Sequence, residues 1–150
     1  MNIQDKMRTI GRVAVTDLHV LDLLWSDGTA VRLDVQAMLA DRAFAALRDA
    51  DAFTQVSLGD WGHSLVWPCG AEMSADMLWL ETLSQTGHED TRTFLEWRLR
   101  HALSLSKAGD ALGVSRRMIA YYSNGEKPVP KLILLACRGW EVLGLHTQAA

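Results

Sequence analysis

Residues 103–125, LSLSKAGDALGVSRRMIAYYSNG, admit few local structures. A helix can open at Ser104 and run to Leu112, with Ala108 and Leu112 four apart on one face. Gly113 then stands where the chain must turn left-handed, a backbone state that carries no steric penalty for glycine. Val114 follows as an apolar plug, and the Ser115 hydroxyl can cap a second helix. In that helix Ile119 and Tyr122 fall on an inner side, with Arg116, Arg117, Ala120 and Tyr121 on the outer one. Asn124-Gly125 closes it as a turn.

Two short helices, a glycine turn and arginines on the outer face of the second compose a helix-turn-helix. The segment resembles the lambda-repressor/Cro (Xre-like) helix-turn-helix family over about residues 93–143. Gly109 takes that family's small position in the first helix, and Gly113 its turn glycine. Ala108, Leu112, Val114, Ile119 and Tyr122 take its apolar positions. The resemblance implies an all-α domain of four to five helices that binds double-stranded DNA, with residues 115–123 as the recognition helix in the major groove. Leu105 stands where the family often carries glutamine.

The charge is divided along the chain. Residues 1–90 hold 6 Lys and Arg against 14 Asp and Glu, a net of −8. Residues 91–150 hold 9 against 4, a net of +5. The basic half is the one suited to nucleic acid, and the acidic half faces away from DNA or serves a protein partner. Arg116 and Arg117 follow the Ser115 cap, where a recognition helix reaches base edges and an arginine can grip guanine O6 and N7. Ala120 allows close approach to a thymine methyl, and Tyr121 suits a phosphate or sugar. Ser106, Lys107 and Lys127 are placed for backbone phosphates. Single domains of this size bury little surface on DNA, so the expectation is a homodimer on a two-fold site. Trp140 and Leu143 of the last helix, or the acidic domain, are the candidate interfaces.

The first region reads as an α+β domain of antiparallel strands with two helices. Residues 13–20 alternate apolar and polar, with Val13, Val15, Leu18 and Val20 on core faces. Two β-prone runs follow around Ser26-Asp27-Gly28-Thr29, a hairpin signal. Residues 36–49 read as a helix, and 54–58 and 64–67 as strands ended by Pro68. A second helix, capped by Ser74, spans about 75–83, and 84–92 is a polar linker. The domains are therefore expected at 1–83 and 93–150. The second opens with a Thr93–Glu96 capping box on a helix whose inner stripe is Leu95, Leu99 and Leu103. Its last helix starts after Pro130 with Leu132, Leu135, Ala136 and Trp140 inward, and the tail, 145–150, frays.

The carriers VTDLHVLDLLWSDGTAVRLDV, LRDADAFTQV and LVWPCGAEMSADMLW resemble a small bacterial domain of unknown function, family 2442, over about residues 12–82. Trp67, Pro68, Gly70, Glu72 and Trp79 match its turn and following helix, and Cys69 takes the usual asparagine place. The resemblance implies a fold and a neighbourhood of toxin–antitoxin loci or fused DNA-binding modules, with no catalytic residues to carry over.

No apolar run approaches the roughly 18–20 residues of a membrane span. The first twelve residues lack the apolar centre of a signal peptide, so a cytoplasmic protein is expected. Asp60, His63, Cys69 and Glu72 share one stretch without a group to orient the histidine. The five histidines and two cysteines lack ligand spacing. The expectation is a non-enzyme without metal or cofactor, a DNA-binding transcriptional regulator of which an antitoxin-like protein is one form. The alternative is a protein-interaction module that no longer touches DNA, which Leu105 and the overall acidity favour.

Overall fold

The computed structural model describes residues 8–144. They fall into two compact units, residues 8–85 and 86–144, each with a hydrophobic core of its own. The tail read as fraying lies outside the described residues.

The first unit opens with an antiparallel meander of β1 (Ile10–Asp17), β2 (Val20–Trp25) and β3 (Ala30–Asp34). Its register pairs Val13 with Leu23 and Val31 on one row, and Val15 with Leu21 and Leu33 on the next. Residues two apart share a sheet face, which puts Leu21, Leu23, Trp25, Leu33 and Val35 in the core. The hairpin read at Asp27-Gly28 is present, with the Asp27 carboxylate accepting from the Thr29 N–H at 2.9 Å. The single strand expected over 13–20 is instead broken by a turn. The Asp17 carboxylate accepts from the Leu18 N–H at 2.7 Å, His19 turns left-handed, and Leu18 ends exposed while His19 is buried.

The helix expected over 36–49 is two 3-10 segments, Gln36–Ala40 and Arg42–Arg48, followed by the short α1 (Ala50–Phe53). Asp41 accepts from the Ala43 N–H and Asp49 from the Ala52 N–H, each at 2.9 Å. These local bonds restart the chain twice and prevent one continuous helix. Leu39, Phe44 and Leu47 are buried all the same.

A second antiparallel sheet follows in the order β4 (Ser57–Leu58), β5 (Ser64–Val66) and β6 (Glu72–Ser74). Thr54 caps α1, so the strand expected from that residue shortens to two residues. Between β5 and β6 the Trp67 indole donates to the Phe53 carbonyl at 2.9 Å, and the Gly70 N–H donates to the Trp67 carbonyl. The Trp-Pro-Cys-Gly turn therefore ties the second sheet to α1. Ser74 caps α2 (Ala75–Gln85), accepting from the Met77 N–H at 3.1 Å. At its end Gln85 donates to the Asp34 carbonyl at 2.7 Å and accepts from the Asp34 N–H at 3.0 Å, pairing the last residue of β3.

The second unit contains α3 (Glu89–Arg100), α4 (Leu105–Leu112), α5 (Arg116–Asn124) and α6 (Lys131–Val142). Most of the expected linker 84–92 is thus helical: α2 runs through Gln85 and α3 begins at Glu89, whose acidic first turn suits the helix dipole. Thr93 is inside the helix, its hydroxyl donating to the Glu89 carbonyl at 2.9 Å, and caps nothing. The inner face of α3 is Thr91, Phe94 and Trp97, because the two aromatic rings claim the core; Leu99 is exposed. On α6 the inward residues are Cys137 and Trp140, while Leu132 and Leu135 point out.

The end of α3 is tied to α6 by charge. Glu141 lies 2.7 Å from His101 Nε2 and 3.1 Å from Arg100 Nη1. The His101 hydrogen bond, with Arg100 and Arg138 beside it, holds the Glu141 carboxyl below its ordinary range. Burial and the neighbouring Glu141 carboxylate push the Cys137 thiol up to about 12.

Candidate nucleic-acid interface

Four exposed cations of the second unit, Lys107, Arg116, Arg117 and Lys127, lie on α4, on α5 and just after α5, and each joint by which α4 braces α5 has a local cause. Ser104 caps α4, accepting from the Lys107 N–H at 3.1 Å. Gly113 ends it in the left-handed region at φ 70°. The chain then folds back on the helix, and the Val114 N–H donates to the Gly109 carbonyl at 3.0 Å. A Cβ at position 109 would lie 2.6 Å from the Val114 carbonyl oxygen, so this approach requires glycine. Ser115 caps α5 by accepting from the Met118 N–H at 3.2 Å.

Ser115, Arg116 and Arg117 are exposed at the start of α5, as the sequence reading places them. Arg117 Nε donates to the Tyr121 hydroxyl at 2.7 Å, with its guanidinium carbon 5.5 Å from the ring centroid. Lys127 comes to the same ring, its Nζ 4.9 Å from the centroid, and its backbone N–H donates to the Tyr121 carbonyl at 3.3 Å. Tyr121 therefore gathers two cations from separate elements, a cluster that spacing alone does not reveal. Ser106 and Lys107 are exposed in the first turn of α4.

Ala120 is a correction. It is 1% exposed, within the core, and cannot meet a thymine methyl. Near it, Arg98 of α3 donates from Nη1 to the Ser123 hydroxyl at 2.8 Å and from Nε to the Leu103 carbonyl at 3.2 Å. Ala120 shares the buried side of α5 with Ile119, Tyr122 and Ser123 and packs in the core with Phe94, Trp97, Leu105 and Ala108. Leu105 is fully buried, so the position that carries glutamine in the resembling family is a core position here. Sequence reasoning missed both Arg98 and Asp90, whose carboxylate accepts from the buried Val129 N–H at 2.8 Å and fixes the chain between α5 and α6. No local pattern in the sequence singles out Arg98, whose partners lie 5 and 25 positions away.

In charge, residues 86–144 hold 9 Lys and Arg against 6 Asp and Glu, while residues 8–85 hold 5 against 11. The excess of cations thus belongs to the unit that carries α5. A crystal structure described as that of the "Putative DNA Binding Protein NE0471 from Nitrosomonas europaea ATCC 19718" is similar to the chain. The two are 33% identical, with a TM-score of 0.67, over 90% of this chain and 87% of that one. The chain belongs to the family of that protein. Residues 10–82 match the family model described as "Protein of unknown function (DUF2442)". The resemblance read from the Trp-Pro-Cys-Gly turn and the strands before it thus holds for the first unit. No curated protein matches the chain. In this DUF2442 segment Trp67, Gly70 and Trp79 have structural places: Trp79 packs edge-on against Trp25 at 5.1 Å, and Arg8 lies over its ring. Among the described residues, no helix is long and apolar enough to cross a membrane.

Proposed function

We propose that the protein is a cytoplasmic, sequence-specific DNA-binding regulator, with α4 and α5 as a helix-turn-helix of the lambda-repressor type. In this reading residues 93–150 are the DNA-binding domain and the acidic residues 1–83 a separate domain that leaves the duplex free. The helix 115–123 enters the major groove, acting as a homodimer on two half-sites. The supporting observation is the pair of exposed guanidinium groups at the start of a helix braced by another, with Tyr121 holding Arg117 and Lys127 together. The DNA-binding description of the Nitrosomonas europaea relative supports it as well.

Arg116 and Arg117 read base edges, while Ser106, Lys107, Tyr121 and Lys127 contact phosphates and Ser115 holds the helix start. Binding to labelled duplexes, selected from random DNA, tests this. Affinity falls linearly in log salt, with a slope of about −0.9 per phosphate contacted. Arg117→Ala lowers the preference for the selected sequence by about 1–3 kcal/mol, and Lys107→Ala weakens all duplexes alike. Equal affinity for selected and random duplexes, with Arg116→Ala and Arg117→Ala unchanged, supports the interaction module instead.

A further inference from the structure

α6 is apolar on two opposite sides. Cys137 and Trp140 face the core, while on the far side Leu132 is 75% exposed, Leu135 57%, Val142 69% and Leu143 70%. A contiguous exposed apolar stripe of this kind marks an interaction surface, and among the described residues no element of the second unit covers it. Gly139 sits in the middle of the exposed stripe, and a Cβ built there meets nothing within 4 Å.

We infer that this face is the interface between two copies of the chain, paired by an antiparallel crossing of α6 at Gly139. The pattern about that residue is self-complementary, as a two-fold contact requires. At 100° per residue, Leu135 and Val142 lie to one side of Gly139, four residues before it and three after. Ala136 and Leu143 lie to the other side, three before and four after. The two-fold sets Leu135 against the second copy's Val142, and Ala136 against the second copy's Leu143. The glycines meet where the axes cross and let the helices approach closely. A 12-residue helix is about 18 Å long and 10 Å wide, so the contact buries several hundred Å². That is under the roughly 1,200–2,000 Å² of a standard interface. The dimer is therefore weak, with a Kd on the order of micromolar. Lys131 and Arg138 are exposed along one margin of the stripe. Arg138, one position before Gly139, comes close to the second copy's Arg138 across the two-fold, so added salt tightens the dimer, opposite to its effect on DNA binding.

This assignment gives the dimer proposed above its surface, and it is read without DNA, so either can fail while the other stands. Sedimentation of the full chain from about 2 to 200 µM tests it. The expected mass rises from 16.7 kDa toward twice that value with concentration. Leu135→Glu and Leu143→Glu remain monomeric at every concentration with unchanged circular dichroism and melting, since both side chains are exposed in the monomer. Gly139→Gln weakens association at least about tenfold without destabilising the fold. A monomer throughout, a dimer that survives both glutamates, or a dimer that weakens with salt overturns the proposal.

Discussion

Two glycines inside helices should respond in opposite ways to the same substitution. Replacing a mid-helix glycine by alanine stabilises a helix by about 1 kcal/mol through backbone entropy. At Gly139 the new methyl meets open space, so Gly139→Ala should gain that full amount. For a unit of about 60 residues this raises the Tm by roughly 4–8 °C. At Gly109 the methyl would sit 2.6 Å from the Val114 carbonyl oxygen and 3.5 Å from the Arg116 nitrogen, both backbone atoms that cannot rotate away. Either α4 or the turn must yield, and such overpacking costs about 1–3 kcal/mol, which cancels or exceeds the gain. The two variants should therefore differ by about 1–3 kcal/mol in urea unfolding, followed by Trp97 and Trp140 fluorescence at low micromolar protein. If Gly109→Ala stabilises as much as Gly139→Ala, the turn does not pack on α4, and the angle that presents Arg116 and Arg117 is not the one described.

Arg98→Met removes the donor of the Ser123 hydroxyl and that of the Leu103 carbonyl, so it should lower the unfolding free energy by about 1–3 kcal/mol in the same assay. A thiol reagent at pH 8 should label one cysteine quickly, the exposed Cys69, and reach Cys137 only on unfolding, since the latter is buried and its thiol pushed up to about 12. The lowered carboxyl of Glu141 contributes stability that is present above the ordinary carboxylate value, near pH 4.3, and is lost as pH falls through the folded value. The melting temperature should accordingly drop below about pH 5, and Glu141→Gln should flatten that drop; an unchanged acid limb in the variant would remove Glu141 as its cause.

Where a bond partner lies within a few residues, the sequence announces it. Ser104, Gly113, Ser115 and the Asp27-Gly28 hairpin are all cases in which the side chain or backbone need is met nearby. Ala120 failed because it packs against residues of α3 and α4 far from it in sequence, and nothing in the 3.6-residue period of α5 reports which flank a neighbour will cover. The α3 face failed for a related reason: Leu95 and Leu99 form as good a stripe as Phe94 and Trp97, and tertiary packing decided between them. On α6, leucines on both sides leave periodicity without a preference. β6 is three residues long and exists only because β5 offers it an edge. The cluster of Arg117, Tyr121 and Lys127 was half legible: each was singled out, but their meeting depends on the turn after Asn124.

The clasp between Gln85 and Asp34 bears on where the chain can be cut. A primary amide at the end of α2 satisfies the donor and the acceptor of one residue on β3, serving as a one-residue neighbouring strand. A fragment trimmed to residue 83 would keep the whole core of the first unit yet bare that rim, inviting strand-to-strand association between molecules. Extending the fragment by two residues should turn a sticky product into a soluble one.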